Sequence, residues 1–172
     1  GVLYFMASNG TNGQELWKTD GTAAGTVLVK DIRPGSNSSS PLYLTNVNGV
    51  LYFMASDGTN GQELWKSDGT EAGTVMVKNI YAGSNGSSPQ NLINVNGVLF
   101  FVANNGVNGY ELWKSDGTEA GTVMVKDIHV GNTGGSAQNI TNLNSVIYFL
   151  ANDGIHGSEL WKSDGTEAGT VM

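Results

Sequence analysis

One segment of this chain, ELWKSDGTEAGTVMVK, occurs again and again at a fixed spacing, and this periodicity constrains the fold more than any other feature. Its copies, with minor changes in the first and a truncated last, are Glu15–Lys30, Glu63–Lys78, Glu111–Lys126 and Glu159–Met172. The period is 48 residues. We therefore treat the chain as one repeat domain, 1–172, and divide it into repeats at about 1–48, 49–96, 97–144 and a partial 145–172.

Each repeat has the pattern of several short strands joined by turns. Val50–Ala55 is apolar at every position, which indicates a strand buried on both faces. It follows Asn48-Gly49, a strong hairpin signal, and precedes the turn Asp57–Gly61. Glu63–Lys66 and the β-branched segment Thr74–Ile80 complete the unit. The repeat therefore predicts a four-stranded antiparallel meander.

A sheet that is apolar on both faces must be covered on both sides, and stacked copies of the same sheet do this. A period in the forties with four strands is typical of a β-propeller blade. We therefore predict an all-β protein, a β-propeller of 48-residue blades, with a β-solenoid as the alternative. The chain starts after the first strand of a blade, so we expect three strands, then four, four, and three plus a stub at Thr170–Met172.

The composition excludes several classes of function. The net charge is −7, and the eight Lys and Arg residues are dispersed, so a nucleic-acid partner is not expected. The chain has no cysteine for a disulfide or a thiolate metal site, and no apolar run long enough to span a membrane. No catalytic motif is present, and near-identical repeats lack the asymmetry of an active site. We therefore predict that the chain is not an enzyme.

The segment ELWKSDGT, present in three copies and as ELWKTDGT in the first, is similar to the ELWxxDGT repeat of large bacterial surface and secreted proteins. The resemblance extends over essentially the whole chain. It implies propeller-like arrays and an extracellular or cell-surface location, often in adhesin-like proteins. It implies no established enzymatic activity.

Two residue types recur once per repeat and are candidates for ligand binding. In Glu63–Lys66, strand alternation places Glu63 and Trp65 on one face and Leu64 and Lys66 on the other. A tryptophan beside a glutamate could hold a sugar, but we favour the alternative, in which the tryptophan packs between blades with its indole N–H bonded to a carbonyl. The candidates are Trp17, Trp65, Trp113, Trp161, Glu15, Glu63, Glu111 and Glu159.

The positions that differ between repeats are candidates for recognition, because propellers place recognition in variable loops. These positions are Arg33, Tyr81 and His129. Asp57, Asn60 and Asp153 are weak calcium candidates, since they lack the acidic pattern of an EF-hand loop. In the S/T-D-G-T motif, Asp is expected to accept a backbone hydrogen bond within a turn.

These observations favour a non-enzymatic extracellular repeat module, a scaffold for adhesion or protein interaction. The alternative function is a multivalent lectin with sugar sites between blades. Expected partners are a second copy that completes a ring, further blades of a longer parent protein, glycans or surface proteins. No cofactor is predicted apart from the weak calcium candidates.

Overall fold

The computed structural model describes all 172 residues and consists of strands joined by turns and linkers. The strands are β1 (Leu3–Ala7), β2 (Glu15–Thr19), β3 (Val27–Lys30), β4 (Leu42–Val47), β5 (Val50–Ser56), β6 (Gln62–Ser67), β7 (Val75–Lys78), β8 (Gln90–Val95), β9 (Val98–Asn104), β10 (Tyr110–Ser115), β11 (Val123–Lys126), β12 (Gln138–Leu143), β13 (Val146–Asn152) and β14 (Ser158–Ser163). None of its elements is a helix of the length and apolarity needed to cross a membrane.

The strands form four antiparallel sheets in chain order, which confirms the predicted meander. Sheet 1 is β1–β3, sheet 2 is β4–β7, sheet 3 is β8–β11 and sheet 4 is β12–β14. An isolated bridge between Lys162 and Val171 is the predicted stub of a further strand in sheet 4. This antiparallel order differs from the successive coils of a β-solenoid.

The hairpin between β4 and β5 forms where the sequence predicts it. Asn48 and Gly49 have φ angles of 52° and 87°, and Val47 pairs with Val50. Two successive positive φ values define the type I′ turn, whose twist matches that of the strands it joins. The short turn fixes the register that puts the apolar strand β5 between β4 and β6.

The fourth strand of the unit is shorter than predicted. We expected Thr74–Ile80, whereas β7 spans Val75–Lys78. Beyond its end, the Ile80 N–H donates to the Glu63 carboxylate at 3.0 Å instead of to a neighbouring strand. Competition of this kind ends a strand because the next N–H no longer faces a ladder partner.

Sheets 2, 3 and 4 each draw their strands from two sequence repeats, whereas sheet 1 lies within the first repeat. Repeat 49–96 supplies β5, β6 and β7 to sheet 2 and then β8 to sheet 3. The linker from β7 to β8 therefore crosses from one sheet to the next, and neighbouring sheets share one stretch of chain.

Successive sheets pack face to face, with one apolar cluster in each of the three junctions. Strand β8 contacts both β4 and β12, the first strands of the sheets on either side of it. Between β8 and β4, Asn94 Nδ2 donates to the Asn46 carbonyl at 3.1 Å. No cluster joins sheet 4 to sheet 1. The four sheets thus form an open arc with two uncovered end faces.

The S/T-D-G-T motif forms the predicted turn. Asp116 Oδ1 accepts hydrogen bonds from the backbone N–H of Thr118 at 2.8 Å and from its hydroxyl at 2.7 Å, while Gly117 has a φ of 89°. These bonds hold the pKa of the Asp116 carboxyl below its ordinary value. The carboxylate rests on Gly121, where an added Cβ would lie 2.1 Å from Asp116 Oδ1. A larger residue at this position would force the Asp116 carboxylate out of its place.

Gly121→Ala is therefore expected to lower the unfolding free energy by about 1–3 kcal/mol, the usual cost of overpacking. The same change in an Asp116→Ala background should cost much less, because the carboxylate that meets the new methyl group is gone. Urea unfolding of the wild type, the two single variants and the double variant measures this coupling. Equal costs in both backgrounds would contradict the steric explanation.

Candidate functional site: the junctions between sheets

A buried glutamate at the start of the ELWK strand fixes the linker that leaves each sheet. Glu63 is fully buried in β6. Its carboxylate accepts bonds from the N–H groups of Ile80 (3.0 Å), Tyr81 (3.1 Å) and Ser87 (2.9 Å), and from the Ser87 hydroxyl at 2.5 Å. Burial raises the pKa of Glu63, although these bonds act to lower it. The side chain clamps the β7–β8 linker and leaves no oxygen for a ligand.

The other candidate glutamates show what this clamp depends on. Glu15 is fully buried and holds its linker through the Ile32 N–H at 3.0 Å and the Ser39 N–H at 2.8 Å. Glu159 is exposed, because no linker covers it. The same residue type is thus buried or exposed according to whether a linker packs over it.

Glu111 is the buried glutamate with an incomplete clamp. Gly135 occupies the place of Ser39 and Ser87, so the serine hydroxyl is missing and Glu111 Oε2 has no hydrogen-bond partner. Its Oε1 still accepts from the N–H groups of Gly135 and His129. Burial, less fully opposed by hydrogen bonds, raises the pKa of Glu111 to about 7.

The unfolding free energy is therefore expected to fall as pH rises toward 7. The folded chain holds a proton on Glu111 that the unfolded chain loses at about its ordinary pKa of 4.5, so this stabilisation is complete below about pH 4.5 and is lost by about pH 7. The shift corresponds to roughly 1–3 kcal/mol. Urea unfolding at about pH 5 and about pH 8 measures it.

Glu111→Gln should flatten this pH dependence, and Glu159→Gln, at the exposed equivalent, should leave it unchanged. The raised pKa of Glu63 adds the same pH dependence to the wild type and to both variants. The difference in pH dependence between these proteins therefore isolates the contribution of Glu111. The aspartates of the turns have lowered pKa values, and their contributions are lost only as pH falls below 3.8. A Glu111→Gln variant with the wild-type pH dependence would contradict the assignment.

The tryptophans pack across the junctions. Trp65 of sheet 2 lies in one apolar cluster with Leu16, Val29 and Ile32 of sheet 1, while its neighbour Leu64 packs in the opposite direction, toward sheet 3. The predicted alternation along the strand is therefore confirmed for these two residues. Three tryptophans are nearly buried; Trp17, on an end face, is half-buried. The indole N–H has no acceptor in any repeat, in contrast to the carbonyl bond we expected.

The lysine of ELWK ties neighbouring sheets together, a role that sequence reasoning missed. Lys18, Lys66 and Lys114 each donate a hydrogen bond from Nζ to a glycine carbonyl in the S/T-D-G-T turn of the next sheet. The acceptors are Gly69 at 2.8 Å, Gly117 at 2.9 Å and Gly165 at 2.8 Å. The recurrence of a lysine and a turn glycine in every repeat is the sequence feature that could have indicated this contact.

The variable candidates also lie at the junctions. Arg33, Tyr81 and His129 are partly buried, and each covers a turn glycine of the following sheet. A Cβ built on Gly58 would lie 2.8 Å from Arg33 Nε, and on Gly106 it would lie 2.6 Å from the Tyr81 ring. These side chains therefore contact the next sheet while keeping part of their surface in solvent.

The carboxylates of the calcium candidates Asp57 and Asp153 accept hydrogen bonds from donors within their own turns. Asp57 Oδ1 accepts from the N–H groups of Thr59 and Asn60, both at 2.8 Å, and Oδ2 accepts from Asn60 Nδ2 at 2.7 Å. Asp153 has the same arrangement with His156, whose Nδ1 lies 2.7 Å from Oδ2, and these bonds lower the pKa of Asp153. No group of three or more His, Cys, Asp or Glu side chains converges in a way that could hold a metal.

The surface recess beside the third linker is polar and open. It is lined by His129, Thr133, Ser136, Gln138 and Asn152, among others, and by no carboxylate. General acid–base hydrolysis of a glycosidic bond uses two carboxyl groups on opposite sides of it. The recess therefore lacks the groups that this chemistry needs.

The fold has counterparts among solved structures. No protein-family model and no curated protein matches the chain. A prolyl endopeptidase aligns with 95% of this chain at 13% identity and a TM-score of 0.59, and the chain spans 23% of its length. An α-L-arabinofuranosidase from Clostridium thermocellum aligns with 99% of this chain and 70% of its own, at 16% identity and a TM-score of 0.37. The first likeness shows an all-β, propeller-type fold and nothing about activity.

Proposed function

We propose that this chain is a non-enzymatic extracellular module, a β-propeller scaffold of 48-residue blades used for adhesion or protein interaction. One observation carries the proposal: the recurring glutamate and lysine bind the linker and the turn that lead to the following sheet, and the recurring tryptophan packs against the preceding sheet. The extracellular setting rests on the resemblance to ELWxxDGT repeats. A scaffold of this kind presents many equivalent surfaces, and weak contacts then add through effective concentration.

The lectin alternative receives less support from the geometry. A sugar site between blades would need an exposed tryptophan face and a free carboxylate. Trp65 and Trp113 are nearly buried, and Glu63 is buried with its oxygens bonded to the linker. Only Trp17 keeps an accessible part of its ring, at an end face.

A glycan array combined with assays on peptide and glycoside substrates tests the proposal. The intact chain should neither retain glycans nor turn over either class of substrate. Trp17→Ala serves as the control, because it removes the accessible tryptophan at a half-buried position. Specific glycan retention that disappears in this variant would support the lectin instead, and turnover of either substrate would overturn the non-enzymatic role.

A further inference from the structure

We propose that the two end faces of the arc bind each other head to tail, so that a second copy of this chain covers each of them. The head face is the outer side of sheet 1, with Leu3, Phe5 and Trp17. The tail face is the outer side of sheet 4, with Tyr148, Leu160 and Lys162. This inference rests on the proposed scaffold function and names its partner.

The exposure of two leucines marks these faces as uncovered junction surfaces. Leu160 is 61% exposed, whereas Leu64, at the same position of the repeat, is 0% exposed. Leu3 is 64% exposed, whereas its equivalent Leu51 is 5% exposed. At the equivalent positions inside the molecule, Leu64 and Leu51 are each covered by a neighbouring sheet.

The internal junctions show what fits there. In the first junction, Leu16 of sheet 1 packs with Leu51, Phe53 and Trp65 of sheet 2. One repeat period relates Leu16 to Leu64 and Leu112, and then to Leu160; the residues it contacts correspond to Leu3, Phe5 and Trp17. A tail face therefore meets a head face with the side chains that already pack together inside the chain.

Polar groups match in the same way. Lys162 Nζ has no acceptor, while the lysines at its equivalent positions donate to the turn glycine of the next sheet. The equivalent glycine at the head is Gly21. The space around Gly21 is empty, whereas Gly69 has the Tyr4 hydroxyl against it. In the head-to-tail pair, Lys162 donates to the Gly21 carbonyl and Tyr148 fills the place of Tyr4.

Two features set the strength of this contact. The new junction lacks counterparts of Val29 and Ile32, which contribute to the first internal cluster, so it buries less apolar surface than an internal one. The net charge of −7 on each copy opposes association. Added salt screens this repulsion and should strengthen the pairing. Because the contact is heterologous, it closes into a ring or extends into a chain according to the rotation between copies.

Light scattering over a dilution series measures the association. The wild-type mass should exceed 18.0 kDa at high concentration and return to 18.0 kDa on dilution. Leu3→Lys and Leu160→Lys should each stay at 18.0 kDa, because every copy then carries one damaged face. Circular dichroism should show native sheets in both, since each leucine is exposed in the single chain.

Mixing the two variants gives the decisive result. One variant keeps an intact tail and the other an intact head, so the mixture should form a one-to-one pair of twice 18.0 kDa and nothing larger. Ile155→Lys, at an apolar residue that is 82% exposed and lies outside both faces, should associate like the wild type. A wild-type mass of 18.0 kDa at every concentration, or a mixture that stays monomeric, would overturn the proposal. So would an oligomer that survives either leucine variant, because it uses another surface. Glycan binding or turnover would count against the scaffold function without changing these masses.

Discussion

Glu63→Ala should lower the unfolding free energy by about 3–5 kcal/mol. The substitution removes the acceptor of three backbone N–H groups and one hydroxyl, all in the linker between sheets 2 and 3. Each buried donor left without a partner costs about 1–3 kcal/mol, and local relaxation recovers part of the sum. Chemical denaturation with tryptophan fluorescence measures the loss.

Glu159→Ala is the matched control, with the same residue type at the same position of the repeat. Glu159 is exposed and has no linker to hold, so its replacement should change the free energy by no more than about 0.5 kcal/mol. Glu63→Gln keeps one carbonyl oxygen and should lie between the two. If Glu63→Ala and Glu159→Ala behaved alike, the clamp would not be the reason that glutamate recurs.

Trp113→Ala should lower the unfolding free energy by about 3–5 kcal/mol, as expected for removal of a buried aromatic side chain. Trp113 packs in the second junction with Leu64, Val77 and Ile80, and its ring lies 6.5 Å from that of Phe101. Its loss opens a cavity between two sheets that the chain cannot easily close. Thermal and urea unfolding both report the change.

Trp17→Ala provides the comparison. Trp17 pairs with Phe5 and Leu28 in its own sheet, as Trp113 pairs with Phe101 and Met124. It has no preceding sheet against it, so its removal should cost about 1–2 kcal/mol, less than that of a fully packed ring. The difference between the two variants measures the contribution of packing across the junction. Equal losses would place the stabilising contacts of tryptophan within its own sheet.

Local sequence patterns predicted the strands and turns well, because their determinants are local. The apolar run Val50–Ala55 lies within β5, and Asn48-Gly49 forms the type I′ hairpin. The Asp68 carboxylate accepts a hydrogen bond from the Thr70 N–H, two residues away, as the turn motif predicts.

The roles of the junction residues could not be predicted in the same way, because their partners are distant in sequence. Glu63 binds residues 17 to 24 positions further on, and Lys66 reaches a glycine 51 positions away on another sheet. A pattern within one strand shows that such a side chain recurs but not what it contacts. The unusual pKa of Glu111 likewise depends on Gly135, which lies outside the ELWK motif.

The recurring glutamate holds the linker between sheets, and amide hydrogen exchange of the unmodified chain tests this role directly. The N–H groups of Ile80, Tyr81 and Ser87 lie outside any strand yet are bonded to Glu63. We predict that they exchange as slowly as the amides of β5 and β6, while the amide of Ser84, an exposed residue of the same linker, exchanges fast. Fast exchange at Ile80 and Ser87 would show that the linker is not clamped and would contradict the account.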